Sequence, residues 1–427
     1  MTDANSLWRA TSPYRCSRCG FCLAVCPTYR LEPLEPDSPR GRLTLLESLA
    51  AGTPLTPASG LHLDRCLGCR ACEAACPAGV KAAHEIHALK SQKDRGLPGR
   101  LFRWIWRFGC RVFLSDNAKL YRLLKTLIFL KNRGLLDIIT RIPGFSAFGS
   151  YEGLAALLPP SAPPPAKRPV LFPSEGKEKY RVAFFAGCVM ETLLRPANDA
   201  AVDLLRAAGC TVVFPKGQSC CGALSYHGGD LKTASRLAAR NIEAFTRAEP
   251  YDFVVCAAAA CTVHLREYPS LFSSDPSMQE KAGRFAARVR DFSEFVFALK
   301  PDLKPVFPGP VAYHESCLLR NSAGPGAMGK LLRGLPGVVA FSAPHSGCCG
   351  SAGGYNLRHP HTAVSLLDAE ITALGRSTAK TLVTDNPGCL LFLLHGLTRH
   401  DLTSKIKVKH LAEFLKPDNL CKESRSI

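Results

Sequence analysis

Apolar and polar positions follow three different rhythms along this chain. In Gly41–Ala51, Leu43, Leu45, Leu46 and Leu49 recur at helical spacing, so a short helix is predicted there. Arg100, Arg103, Arg107 and Arg111 also recur at helical spacing, among Phe102, Trp104, Ile105, Trp106, Phe108 and Phe113. A second basic and apolar stretch follows at Leu120–Arg133. Beyond the middle the rhythm shortens. Arg181–Ala186, Thr211–Phe214 and Val311–Tyr313 read as buried strands, and Ala197–Ala208 reads as a helix between the first two. Between the two styles lies LLPPSAPPPAKRPVLFP (Leu157–Pro173), whose proline content predicts an extended, semi-rigid linker.

The strand-rich part repeats itself. A strand leads to Cys188, then come a helix, a strand and Cys220-Cys221-Gly222; the second copy runs through Cys317 to Cys348-Cys349-Gly350. Cys188 to Cys220 spans 32 positions and Cys317 to Cys348 spans 31. From Cys221 to Cys261, and from Cys349 to Cys389, the step is 40 in both. FVVCAAAAC answers TLVTDNPGC, and VRDFSEF (Val289–Phe295) answers VKHLAEF (Val408–Phe414). Alternating strands and helices predict parallel α/β units, with each cysteine just past a strand end, where open sheets place their ligand sites. Two such units are expected to pack as pseudo-twofold halves.

Cysteine is the outlier in composition, with 20 residues in a chain of 427. Eight of them form two runs, CSRCGFCLAVCP from Cys16 and CLGCRACEAACP from Cys66. Both are C-x2-C-x2-C-x3-C-P, the ferredoxin spacing for iron–sulfur cubes. Two intervening residues let one tight loop aim three thiolates at one cube, while the fourth lies too far round to close it. In two-cluster ferredoxins that fourth cysteine serves the other cube. The expected ligand sets are therefore Cys16, Cys19, Cys22 and Cys76 for one [4Fe–4S] cluster, and Cys66, Cys69, Cys72 and Cys26 for the second. Paired zinc is the weaker reading, because zinc sites are built from two C-x2-C arms per ion. In the repeats, Cys317, Cys348, Cys349 and Cys389 form a candidate further site for a cluster or zinc, with Cys188, Cys220, Cys221 and Cys261 a weaker one. Cys256 reads as a buried strand residue at least as well as a ligand, and Cys110, Cys210 and Cys421 as plain packing or surface residues. His314, just before Cys317, is expected to make a backbone hydrogen bond from a loop, with tuning or ligating a centre as the alternative.

Charge changes the picture in one place. The chain carries a formal +19. Lys81–Pro143 holds fourteen Lys/Arg against four Asp/Glu, a net +10. Such helices can lie on an anionic membrane surface or pack their aromatics on a neighbouring domain. No nucleic-acid reader motif accompanies the charge, so no nucleic-acid partner is expected. The longest apolar runs, such as Leu127–Leu130, are far short of the ~20 residues a span needs, and Met1–Ala10 lacks a leader's apolar core. A cytoplasmic protein, peripheral on the inner face of the membrane, is the expectation. Gly324–Gly329 matches a dinucleotide fingerprint by letter, but it follows a loop and has proline second, so it reads as a helix lead-in. No flavin or nicotinamide site is evident on this chain.

These readings give an α+β multidomain chain: a helical two-[4Fe–4S] ferredoxin-like domain (1–95), a basic helical region with a Pro-rich linker (96–175), and duplicated α/β cysteine-rich (CCG) domains (176–300 and 301–427). The phrases CSRCGFCLAVCPTYRLE, SPRGRL, HLDRCLGCRACEAACPAGV, SGCCGSAGGYNL and NPGC make the chain resemble the iron–sulfur subunits of glycolate oxidase, the bacterial glycolate dehydrogenase complex. The resemblance implies an electron-transfer subunit with no catalytic residue of its own. It implies an FAD-containing partner that oxidises glycolate to glyoxylate, a second flavin-type subunit, and a quinone-type acceptor at the membrane. The iron–sulfur subunits of D-lactate and glycerol-3-phosphate dehydrogenases are alternatives. The repeats also resemble those of heterodisulfide reductase, which would make a catalytic subunit, but that pattern ends in C-x2-C, and Ala258 and Asn386 stand where its first cysteine would be.

Overall fold

The computed structural model describes residues 16–90, 97–141, 158–165, 167–301, 309–324, 326–344 and 347–416, together with Ala155 and Leu303. Cys421, and the side chains of Arg100, Phe102 and Arg103, lie outside the described residues.

The amino-terminal module is built from short helices: Phe21–Val25, Pro27–Leu31, Pro39–Ala50, Pro57–Asp64, Ala71–Ala74 and Ala82–Lys90. Leu43, Leu46, Leu63, Val80, Ala82 and Ile86 form its core, and Cys16, Cys66, Cys72 and Cys76 pack against it. The helix expected from Gly41 begins at Pro39. Ser38 Oγ accepts from Gly41 N at 2.9 Å, and Pro39 takes the first helical position, where its missing N–H costs nothing. Pro27 plays the same part after Cys26, taking the first position of the next helix.

Two long helices follow, Leu97–Phe113 and Asn117–Asn132. The first presents Cys110 to the core of the repeats, with Trp106 and Phe113 packed beside it and Leu114 following just past its end. The proline-rich stretch is pinned to its neighbours. Asn132 Nδ2 donates to Pro160 O at 2.9 Å, and Arg168 Nε donates to Glu191 Oε1 at 2.7 Å.

Each repeat is a parallel sheet. The first contains β1 (Leu171–Phe172), β2 (Tyr180–Phe185), β3 (Cys210–Val213), β4 (Phe253–Cys256) and β5 (Val289–Asp291) in the order β1-β3-β2-β4-β5, only β1 being antiparallel. The second contains β6 (Gly309–His314), β7 (Val338–Ser342), β8 (Thr381–Thr384) and β9 (Lys407–His410) in the order β7-β6-β8-β9. Without β1 the two orders are the same, as the spacing of the cysteines requires. The matching phrases VRDFSEF and VKHLAEF each spell strand, cap and helix. Asp291 caps Phe292–Leu299 and His410 caps Leu411–Leu415, each in a capping box with the glutamate three residues on.

Those capped helices are exchanged. Leu411–Leu415 packs on Arg195–Ala207 of the first repeat, while Phe292–Leu299 packs on Ala327–Arg333 of the second. The exchange is reciprocal, the pseudo-twofold pairing expected of a duplication, and it draws parts of both halves into a shared core running from Val182 to Leu415.

His410 is fully buried and bonded as a neutral ring: Nε2 donates to Ala257 O at 2.8 Å, and Nδ1 accepts from Ala412 N at 3.2 Å. Burial holds its pKa down, to about 4 from 6.5. The unfolded ring takes up its proton first as pH falls, so this contribution is whole above pH ~6.5 and drains away toward pH 4. Between pH 7 and 5 the loss should be roughly 2 kcal/mol. Amide exchange in Leu411–Leu415 should report that loss and His410→Gln should flatten it; equal pH dependence in both proteins would refute the assignment.

Candidate metal centres

The two ferredoxin-type loops share one backbone. The residues on either side of the second cysteine have positive φ in both: Arg18 (56°) and Gly20 (87°), then Gly68 (69°) and Arg70 (61°). Left-handed residues turn successive N–H groups inward, which suits an anionic sulfur cage. Gly68 has a further reason to be glycine, because a Cβ there would collide with the His87 ring.

The fold gathers the eight cysteines around two hollows. One is lined by Cys16, Cys19, Cys22, Cys72 and Cys76. The other is lined by Cys66, Cys69, Cys72 and Cys26. Each hollow thus takes three thiols from one motif together with the trailing thiol of the other, and Cys72 faces both. All nineteen described cysteines are free thiols. Cys19 sits at the open rim, its thiol pKa held below the ordinary value by the Phe21 N–H, whereas burial pushes Cys22 and Cys72 up. Four thiols crowded around one hollow ionise together only against a positive core, so the donor set fits an iron–sulfur group.

The SPRGRL phrase is the frame of these hollows. Arg40 Nη1 donates to Arg18 O at 3.2 Å, bracing the first loop. Arg42 points the other way and is 1% exposed. It donates from Nε to His62 O at 2.8 Å, and from Nη2 to Thr28 Oγ1 at 3.1 Å and Asp37 Oδ1 at 3.3 Å. Arg65 and His62 complete the ring of partners around Asp37, at 2.8 and 3.1 Å. Gly41 lies between the two arginines because any Cβ would overlap the Glu35 carbonyl.

In the repeats, every motif cysteine lies beyond the carboxyl end of a strand, and three strands bring four sulfurs together in each half. Cys188 lies 3.5 Å from Cys220, and Cys221 lies 3.3 Å from Cys261, Sγ to Sγ. In the second half Cys349 lies 3.3 Å from Cys389, and Cys317 contacts Cys348. These separations are far beyond the ~2.05 Å of a disulfide. Cys256 ends β4 beside Cys261, with its own Sγ turned to Ala258 O at 3.5 Å. Cys110 and Cys210 are buried in the core. Where the C-x2-C pattern fails, the second half substitutes a donor: Asn386 Nδ2 donates to Cys389 Sγ at 3.4 Å.

His314 corrects the expectation of a loop residue on a backbone partner. It is the last residue of β6, 1% exposed, and its Nδ1 pairs with Glu370 Oε1 at 3.2 Å. An imidazole nitrogen, Cys349 Sγ and Cys389 Sγ all lie within 4.8 Å of one another. The Cys349 bond, opposed by burial and joined by His314, lowers the Cys389 thiol to about 5. Extending the strand period of Val311–Tyr313 by one residue would have put His314 at the sheet's carboxyl end.

The second ferredoxin loop docks at this place. Leu67 and Cys69 share a core with Cys348, Cys349 and Cys389. Asn321 Nδ2 donates to Cys69 O at 2.7 Å. Arg70 Nη2 reaches Glu267 of the first repeat at 2.8 Å, and its Nη1 reaches Ser322 of the second at 3.2 Å. Burial first, and Cys348 next, push the Cys69 thiol well up.

A helical module with two crossed cysteine quartets, set on a duplicated cysteine-rich sheet, defines an iron–sulfur protein. Family models agree: a 4Fe-4S dicluster domain matches residues 15–80, and a cysteine-rich domain matches 182–266 and 311–394. The chain is 36% identical over 414 residues to the probable glycolate oxidase iron-sulfur subunit of Bacillus subtilis (strain 168), covering 94% of this chain and 92% of that one. Against the glycolate oxidase iron-sulfur subunit of Escherichia coli (strain K12) it is 31% identical over 402 residues, 91% and 90% of the two chains. Lactate utilization protein A of Exiguobacterium sp. (strain ATCC BAA-1283 / AT1b) is 32% identical over 239 residues, 55% of this chain and 96% of that protein. The chain belongs to the family of glycolate oxidase iron–sulfur subunits.

Removing one partner of a buried ion pair costs about 3–5 kcal/mol, against about 0–1 kcal/mol at the surface. Arg42→Ala should therefore speed iron release to a chelator by at least tenfold. Arg18→Ala, which breaks an exposed pair with Glu47, should change it less than threefold. Equal rates in the two variants would show that Arg42 does not frame the hollows.

Proposed function

We propose that this chain is the electron-transfer subunit of a glycolate-oxidising complex. Two [4Fe–4S] clusters would be held by Cys16, Cys19, Cys22 and Cys76, and by Cys66, Cys69, Cys72 and Cys26. Electrons would come from the flavin of an FAD-containing partner that converts glycolate to glyoxylate, with a second flavin-type subunit assisting, and leave toward a quinone-type acceptor. The observation that carries this reading is the crossing of the quartets: each hollow borrows its fourth sulfur from the other motif, the exchange that ties two cubes into one unit.

Bound clusters supply one-electron steps, at potentials set by charge and hydrogen bonding around the sulfurs. The chain's own residues set that surrounding. Cys19 lies at the open rim of the first hollow, the side from which a partner can approach. Cys69 lies at the closed side of the second, against the repeats. Pro39, Arg40 and Leu43 wall the first hollow, while Arg42, Ala83 and Ile86 wall the second. The binding and oxidation of glycolate are assigned to the partner.

Cys19→Ser should lose the absorbance and iron of one cluster and slow electron transfer to a quinone acceptor by at least 100-fold in the assembled complex, while glycolate still reduces the partner flavin. Loss of flavin reduction in that variant would overturn the division of labour.

The Leu97–Phe113 helix supports a peripheral place at the membrane. Its Trp106 face is packed, but Trp104 and Phe108 are 64% and 53% exposed and stack on each other 5.7 Å apart. Arg107, Arg111 and Lys232 surround the same open groove. Among the described residues no helix is long and apolar enough to cross a bilayer. Aromatics flanked by cations sit in the headgroup layer of anionic lipid, each cation contributing ~1 kcal/mol. The protein should bind vesicles containing phosphatidylserine and leave neutral ones, and Trp104→Ser with Phe108→Ser should weaken that binding at least tenfold. Equal binding to both vesicle types would refute it.

A further inference from the structure

The two ferredoxin-type motifs are near copies, yet they end differently. Cys26-Pro27-Thr28 closes the first and Cys76-Pro77-Ala78 the second. Cys26 is the sulfur lent to the second hollow, and Cys76 the one lent to the first. Ala78 is exposed and has no hydrogen-bonding side chain, and Cys76 Sγ accepts from the backbone, Val80 N at 3.4 Å. Thr28 is buried, with its Oγ1 3.3 Å from Cys26 Sγ and 3.2 Å from Asp37 O. Arg42 Nη2 donates to that same Oγ1 at 3.1 Å and to Asp37 Oδ1 at 3.3 Å. A guanidinium can only donate, so the one hydroxyl proton of Thr28 is left for Asp37 O or for the sulfur. A metal-bound thiolate carries no proton and is the more strongly charged acceptor, so that state draws the proton to Cys26.

We propose that Thr28 is a positioning residue that passes the buried Arg42 charge on to Cys26 Sγ, and that this raises the reduction potential of the second cluster above that of the first. The inference rests on the two-cluster reading given above. Reduction adds negative charge to a cluster, so a donor to one of its sulfurs, with a cation behind that donor, favours the reduced state. Burial keeps the effect from being screened. Arg42 is sealed from water, whereas Arg40, on the wall of the first hollow, has a side chain 30% exposed and pairs with Glu35 at 2.7 and 3.1 Å. Asp37 does not serve Arg42 alone, because it also meets Arg65 at 2.8 Å. The ranking gives the module a direction. An electron that enters at the Cys19 rim runs downhill to the second cluster, on the side that meets the repeats.

The test is a redox titration followed by electron paramagnetic resonance on the full chain, purified anaerobically, as wild type, Thr28→Val and Thr28→Ser. Each is repeated with Cys19→Ser, which depletes the first cluster and so assigns the signals. Wild type should show two one-electron steps, and the more positive one should survive in Cys19→Ser. Thr28→Val keeps the shape and loses the hydroxyl. It should lower that step at least tenfold in equilibrium constant, about 60 mV for one electron, and leave the other step within threefold. Thr28→Ser keeps the hydroxyl and should hold the wild-type value within threefold. Equal iron and acid-labile sulfide in the three forms separates a tuned cluster from a damaged one. An unmoved step in Thr28→Val, an equal shift of both steps, or a first cluster more positive than the second would overturn the proposal. If Thr28→Val loses its iron, Thr28→Ala, the residue that the second motif carries at that place, is read in the same way. A full iron content with an unmoved step sinks this inference alone, whereas wild type without iron and sulfide sinks the two-cluster reading and this one together.

Discussion

Buried thiolates repel one another, and that repulsion governs how this molecule is put together. Sulfurs sit 3.3 to 3.5 Å apart in both repeats, inside a core where water cannot screen them. A thiol in such company either keeps its proton or loses it against a cation. Burial pushes Cys72 up, Cys220 raises Cys188, and Cys348 raises Cys317, while the thiols that accept from neighbouring sulfurs are held low: Cys221 by Cys220 and Cys261, Cys348 by Cys317 and Cys349, and Cys389 by Cys349 with help from His314 and Asn386. The backbone has the same bias. Loops with paired left-handed residues, and strand ends with cysteines at their tips, converge on places that an anionic side-chain set could not occupy alone.

Sharing drives the rest of the architecture. In the amino-terminal module each hollow takes its last sulfur from the other loop, so the halves are tied through their chemistry. In the repeats each sheet lends its last helix to the other, so the halves are tied through their cores. Arg70, Asn321 and the Asp64 carboxylate, which pairs with Arg358 at 2.7 Å and His359 at 3.1 Å, then tie one module to the other. The second hollow and the thiols of the second repeat meet along that seam.

Much of this was legible in the sequence. The spacing of Cys16 to Cys26 and Cys66 to Cys76 named the groups that line each hollow, because a fixed spacing encodes a fixed loop. Strands came within a residue or two of their observed limits at Arg181–Ala186 and Thr211–Phe214, where apolar runs end in turn residues. The exchange of capped helices was not legible, since VRDFSEF and VKHLAEF look the same whether a helix packs at home or across a boundary. The structural role of SPRGRL was hidden for a similar reason: alternate arginines look solvated, yet Arg42 is buried on Asp37 while Arg40 is not. His314 was misjudged because one residue decides whether a histidine closes a strand or opens a loop, and pattern reading does not resolve one residue.

The indole of Trp106 has a bearing on motion. Its Nε1 donates to Leu224 O at 3.3 Å, and its ring fills the space that side chains at Gly228 and Gly354 would need, one glycine from each repeat. Duplicated halves that merely lie side by side can breathe independently. Here a wedge from a third segment sits across both glycines, so parting the halves at this place would strip the indole of contacts on one side.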